Sequence, residues 1–287
     1  MRALAASVEE VFREASARWT LLAYFAISSL FILLFAAAVN LDIVDGALAG
    51  AKLFGREVDL GGEKIDMDRL VLGFEAGFSG FLYMLGTFLA LFATAHLVPR
   101  LQEKGTVDLY LSRPIGRTKL LLSRYAGGLL LAAANLLYLM GSIWAIVVWK
   151  TGVAHPRFLL GGVVILFAIA SLLAFAFLVG VATSSTAVSL MVTYAVFFFA
   201  ALLSGHEKIS AAVSSETSAN IIEGLYWIFP KTAELGRATV GLVSGGEIRE
   251  AFFDLGGIDV LAVFGTTALF GILSLALASR LFARKDF

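Results

Sequence analysis

Residues 101–128 read LQEKGTVDLYLSRPIGRTKLLLSRYAGG, a stretch set between two long apolar runs that concentrates Lys104, Arg113, Arg117, Lys119 and Arg124 around Pro114. Such charge is out of character for the chain. Of its 287 residues 59% are hydrophobic and only 15% charged, with a mean hydropathy of +0.89. A soluble domain carries about a quarter charged residues, so this composition belongs in a bilayer.

Formal net charge is zero. No global excess therefore directs the chain to nucleic acid or to an acidic substrate, and electrostatic information lies in where the charges sit. The chain has no cysteine, which excludes disulfides, thiolate metal sites and cysteine nucleophiles. A charged amphipathic stretch precedes the first apolar run and no small-residue cleavage site follows it, so the N-terminal region is not expected to be a cleavable signal.

A hydrocarbon core of about 30 Å needs about 20 apolar residues in helix. Six runs qualify, at 20–39, 77–98, 125–149, 158–181, 186–204 and 258–279, each apolar on every side where a soluble helix would show a polar stripe. The expected fold is an all-α integral membrane protein, a single domain over 1–287. With the N-terminus inside, the segments 1–19, 99–124, 182–185 and 280–287 hold about 12 Lys and Arg against about 6 Asp and Glu, while the outer loops are acidic. Both termini are therefore expected in the cytoplasm of a multi-pass protein of the plasma membrane, the inner membrane of a bacterium.

Before the first span, Leu4, Val8, Val11, Phe12, Ala15 and Trp19 recur at helical spacing, and Ser7 with Glu10 forms a capping box. An amphipathic helix over 1–19 should lie in the membrane interface. In the first outer loop, Gly61 and Gly62 suit a two-residue turn between short strands. In the long loop 205–257, Tyr226, Trp227 and Phe229 precede Pro230 as aromatic anchors of an interfacial or re-entrant helix.

Ionisable residues near the middle of a span mark ion-driven carriers, and none of the six runs has one. Asn135, Thr87, Thr94 and Ser142 are buried polar candidates whose expected role is hydrogen bonding between helices. "HEKIS" at His206 has Ser210 where a zinc helix needs its second histidine. No G-x-x-x-x-G-K-[ST] or G-x-S-x-G occurs, so no nucleotide-binding P-loop and no serine-hydrolase elbow is encoded. The chain is read as no enzyme and as needing no cofactor. Energy for any work it does must come from elsewhere.

That returns attention to 101–128. Thr106 can cap a short helix "VDLYLS" with Asp108 near its positive end, Arg113-Pro114 breaks it, and Gly116 precedes a second helix that starts at Arg117 and runs into the third span. Val107, Tyr110 and Leu111 then form an apolar patch beside a basic cluster. By charge alone, such a loop equally serves to fix topology and bind anionic headgroups.

The order of residue types resembles the ABC-2-type permeases, membrane subunits of a class of ATP-binding-cassette transporters. Their first cytoplasmic loop runs E-[RK]-x-T, then L-L-S-x-P-[IV]-[ST]-R, then a basic residue before the third span. This chain has Glu103-Lys104-Gly105-Thr106, then Leu111-Ser112-Arg113-Pro114-Ile115-Gly116-Arg117, then Arg124. Its closing "LFARKDF" is similar to the family's ending. Gly116 departs from the usual Ser or Thr, and Arg124 from the common Lys.

The resemblance implies that this loop forms a coupling helix seated in a groove of a separate ATPase subunit. Glu103, Arg113 and Arg117 would be its polar contacts, Val107, Tyr110 and Leu111 its apolar ones, and Pro114 its corner, with Gly105, Thr106 and Ser112 completing the motif. Two ATPase copies and a second permease chain, identical or related, are implied, along with membrane lipid and no nucleic acid. The function so implied is a permease, by family tendency an exporter, that moves substrate when its partner hydrolyses ATP. The alternatives are a secondary transporter or channel, which the missing midplane charges disfavour, and a non-transporting scaffold, for which a coupling motif has no purpose.

Overall fold

The computed structural model describes residues 19–44, 47–53, 56–58, 65–102, 116–213, 215–252 and 259–285. The interfacial helix over 1–18, the Gly61–Gly62 turn and the short helix over Val107–Ser112 lie outside the described residues.

Apolar runs become helices as expected, because only a helix satisfies every backbone group within one segment when water is absent. In chain order they are α1 (Trp19–Ala38), α2 (Met67–Thr94), α3 (Leu97–Leu101), α4 (Arg117–Thr151), α5 (Arg157–Thr183), α6 (Thr186–Leu203), α7 (His206–Ala212), α8 (Glu216–Ile228), α9 (Thr232–Phe252) and α10 (Val260–Arg284). Among the described residues, five stretches are long and apolar enough to cross a membrane: Asp68–Leu101, Arg117–Thr151, Arg157–Thr183, Thr186–Leu203 and Val260–Arg284. The apolar segment of α1, Leu21–Ala37, is shorter. Between α1 and α2 the chain forms a four-stranded antiparallel sheet of β1 (Val39–Val44), β2 (Ala47–Leu53), β3 (Arg56–Val58) and β4 (Ile65–Asp66), in which β2 pairs with each of the others.

Two departures from the sequence expectation have a common cause. Helix α2 starts at Met67 rather than Gly77, and residues 232–252, read as loop, form α9, two helical segments joined at a kink where Gly245 takes φ 63°. Both added segments are amphipathic rather than greasy. In α2 the buried positions Val71, Glu75, Ala76, Ser79, Leu82 and Tyr83 keep helical spacing through a stretch whose polar residues interrupt the apolar run. In α9, Leu235, Thr239, Val240, Val243 and Ser244 do the same.

Helix α5 is the axis of the bundle. Phe158, Ile165, Ile169, Leu173 and Phe177 are almost wholly buried, and α4, α9, α6, α2 and α10 all pack on it. Its contact with α10 is the closest. A Cβ built on Gly271 would lie 3.0 Å from Ser171 Cα, and Ser171 Oγ donates to Thr267 O at 2.9 Å. Small residues allow this approach where packing rather than water exclusion holds helices together. Across the other side, Ser28 Oγ donates to Asn135 Oδ1 at 2.9 Å and joins α1 to α4, the interhelical role expected of Asn135. Thr94 instead donates to Ala90 O of its own helix.

Gly271→Val should cost about 1–3 kcal/mol, because the obstruction is backbone and cannot turn aside. Gly265→Ala, with nothing within 4 Å of the added Cβ, should be neutral or stabilising. Thermal unfolding of both variants in detergent compares the two.

Candidate functional site

The bundle has two ends, and each carries polar chemistry. At the first end meet the close of α3, the start of α4, the α5–α6 turn and the close of α10. Gly116 adopts an extended conformation (φ −64°, ψ 144°) and its carbonyl accepts from Leu120 N, so α4 begins at Arg117 as the sequence suggested. Half-buried Arg117 donates through Nη1 to Ala283 O at 3.2 Å and Lys285 O at 2.7 Å, capping the end of α10. Lys285 in turn donates to Val181 O at 2.8 Å, to Ser184 Oγ at 2.7 Å and to Gln102 Oε1. Gln102 Nε2 donates to Gly180 O at 2.9 Å, and Ser184 Oγ donates to Gln102 Oε1 at 2.9 Å. Ser184 holds the turn in the left-handed region, φ 55°.

Of the residues the sequence singled out, Arg117 is thus placed in this cluster. Glu103, Gly105, Thr106, Val107, Tyr110, Leu111, Ser112, Arg113 and Pro114 lie outside the described residues. Gln102 and Gly116 are the described residues nearest to them on either side, and with Gln102 and Arg117 bonded as above both stems of that loop are tied to the bundle. Arg124 is 4% exposed, about two turns inside α4.

Toward the opposite end, α8 and α9 meet at a corner, Phe229-Pro230-Lys231, that is driven into the bundle. Lys231 N donates to Thr267 Oγ1 of α10 at 3.0 Å, Thr232 Oγ1 to Phe197 O of α6 at 3.0 Å, and Tyr83 OH of α2 to Thr232 O at 2.7 Å. Thr267 and Phe197 each lie about 10 Å along their helices from this end. The corner is therefore re-entrant, which is the second of the two geometries open to that helix from sequence.

A chain break at such depth leaves orphan carbonyls at the end of α8 and orphan N–H groups at the start of α9. The local sequence answers both. Lys231 Nζ donates to Tyr226 O and, at 3.4 Å, to Phe229 O, and stands 3.4 Å from the centroid of the Tyr226 ring. Glu234 lies in the first turn of α9, where the helix dipole favours an anion, and its charge acts on Lys231. Both side chains are almost fully buried, and Glu234 Oε2 has no hydrogen-bond partner among the described residues. His206 stacks on Tyr226 with ring centroids 3.8 Å apart, the structural use of a histidine that failed as a zinc ligand. Phe197 is buried against Phe88, while Phe198 and Phe199 stay partly exposed on the outer surface.

Sequence reasoning missed these charges because it placed them in an outer loop. The available signal was the helical spacing of α9 after Pro230. A further missed group stands at the same end, where His155 ring nitrogens lie 3.1 Å from Glu75 Oε2 and 3.3 Å from Asp68 Oδ1. Glu75 is 1% exposed, so the imidazole ties the start of α2 to the α4–α5 turn.

Among the described residues, five apolar stretches of spanning length, with an irregular corner whose backbone groups bond inside the protein, define a polytopic membrane protein. The chain belongs to a family described as ABC-2 family transporter protein, whose model matches residues 11–287. That family is a membrane component and is not itself the ATPase. No curated protein matches the chain.

Lys231→Met should destabilise the folded protein by about 1–3 kcal/mol, since it strips the α8 carbonyls of their donor and leaves the buried Glu234 with the Arg237 guanidinium, 3.8 Å from Oε1, as its counter-charge. Adding Glu234→Gln should restore part of the loss. Reversible unfolding in mixed detergent measures both.

Proposed function

We propose that this chain is the permease subunit of an ATP-driven transporter and that its loop 103–115 receives the stroke of a separate ATPase. The observation that carries this reading is the family match across nearly the whole chain, which implies an ABC ATPase partner. The geometry at the first end supports it. A loop that transmits force needs rigid attachment, because a ligand-driven change passes only through groups whose contacts differ between states. Gln102 and Arg117 provide attachment on both sides.

On this reading the end bearing Gln102, Arg117 and Lys285 faces the cytoplasm, and α1 crosses as a sixth span that puts the N-terminal region on the same side. Two ATPases engage two permease chains, this one and an identical or related copy, in the inner membrane of a bacterium. Glu103 and Arg113 make polar contacts to the ATPase, Val107, Tyr110 and Leu111 apolar ones, and Pro114 turns the loop, with Gly105, Thr106 and Ser112 shaping it. Transport runs outward, and the apolar interior suits an amphipathic or hydrophobic substrate. Exposed apolar side chains on the bundle, such as Trp149 at 85% and Leu261 at 86%, face lipid.

A second reading, an ion-coupled carrier, draws on the buried Lys231 and Glu234, since charge inside a membrane protein marks ion pathways. Transport that survives ATP depletion and collapses with the ion gradient is its signature.

The first reading is tested by affinity purification from native membranes. A P-loop ATPase should accompany the wild-type chain, and Arg113→Glu should lower its recovery about tenfold or more, the scale of a lost charged contact at an interface. Undiminished recovery removes Arg113 as a contact, and absence of any ATPase from the wild-type preparation removes the reading.

A further inference from the structure

Lys285 falls within the closing LFARKDF, outside the coupling-loop motif, and it occupies the centre of the first end. An ammonium has three protons, and all three are used: one on Val181 O, one on Ser184 Oγ and one on Gln102 Oε1. Its backbone carbonyl is used as well, by Arg117 Nη1 at 2.7 Å. One residue therefore touches the loop's incoming stem through its side chain and the outgoing stem through its main chain. The same residue caps α5, because Val181 O is one of the last-turn carbonyls that the helix cannot satisfy itself.

The surrounding contacts give this node little slack. Gln102 is held a second time, by its amide on Gly180 O at 2.9 Å. A Cβ on Gly180 would meet Pro99 Cδ at 3.3 Å, so α3 lies directly against the end of α5. Leu97, Val98, Pro99 and Leu101 of α3 are buried, as is Phe282 of α10 one turn before Lys285. The α5–α6 turn is fixed in the left-handed region at Ser184, whose hydroxyl joins the same ring. The cluster thus closes a circuit from α3 through the α5–α6 turn and the end of α10 to α4.

We propose that Lys285 is a positioning residue for the coupling loop: it locks both stems to α5 and α10, so that a push on residues 103–115 reaches those two helices as one movement. This rests on the reading of 103–115 as the site where an ATPase docks. Without the lock the loop still binds its partner, because the Lys285 ammonium has all three protons engaged within the bundle. What is lost is joint movement, since the incoming stem at Gln102 then yields apart from the end of α10, which stays tied to Arg117 through main-chain carbonyls.

Two measurements test it, using the full chain in detergent or nanodiscs. In the permease alone, Lys285→Met should speed amide hydrogen exchange at 97–102 and 180–185 while thermal unfolding of the bundle stays close to wild type. In complex with the ATPase that co-purifies with the wild-type chain, Lys285→Met should leave recovery of the ATPase unchanged and reduce permease-stimulated ATP hydrolysis about fivefold, the lower end of coupling between sites. Gln102→Leu removes the same node from the other side and stands in should Lys285→Met fail to fold. The double variant should lose less than the sum of the two single losses, because the Lys285–Gln102 bond is deleted in both.

Strictly additive losses, or ATP hydrolysis stimulated as in the wild type, overturn the role of Lys285 and leave the permease reading intact. An ATPase that never associates with the wild-type chain removes the permease reading and this inference with it.

Discussion

A backbone carbonyl at the end of a helix inside an apolar bundle has no water to turn to, and leaving it bare costs several kcal/mol. This constraint accounts for the placing of four of the chain's 22 Lys and Arg. Lys150 Nζ donates to Ala36 O in the last turn of α1, Lys231 to Tyr226 O at the end of α8, Lys285 to Val181 O at the end of α5, and Arg117 to Ala283 O at the end of α10. Four helices thus end on a positive side chain brought from another element or from just past their own end. Each contact adds a favourable charge–dipole interaction to the hydrogen bond it completes. Read as loop charges, these residues only set topology. Read with their acceptors, they decide which helix ends are neighbours.

The constraint also explains which parts of the architecture were legible in the sequence. Spans are legible because burial in lipid imposes length and greasiness directly, and α4, α5, α6 and α10 fall close to the runs expected. Helix α9 was not, because it packs against protein on one side and needs apolar character only on a stripe. Its Glu234, Arg237 and several glycines lower its average below that of a span, although Leu235, Thr239 and Val243 keep the period. The start of α2 was missed for the same reason: Glu75 interrupts the run yet is buried against His155.

The candidate site was legible in part. Residue order in 103–117 pointed to the family, and the family match over 11–287 shows it. That Arg117 stands at the start of α4 was readable from Gly116 and Pro114. That its guanidinium is bound to the end of α10 was not, because both acceptors are main-chain carbonyls, which every residue possesses and no sequence pattern marks. Lys285 stood in the quoted ending LFARKDF, but its partners did not show, because Val181 offers a carbonyl and Gln102 and Ser184 are neutral side chains about a hundred or more positions away.

Helix α10 links the two polar regions. Its end is held by Arg117, and about 27 Å along the helix from Lys285, Thr267 carries two roles at once. Its hydroxyl accepts from Lys231 N at the corner, and its carbonyl accepts from Ser171 Oγ on α5. A helix transmits axial displacement well because its own hydrogen bonds resist stretching. Movement at one end of α10 thus has two outcomes. Either α10 slides on α5, which the Gly271–Ser171 approach opposes by leaving no room for a step in register, or both helices move together and carry the Lys231 corner with them. The close packing that makes Gly271 sterically exacting is therefore what ties the buried charges of the corner to the loop stems at the opposite end.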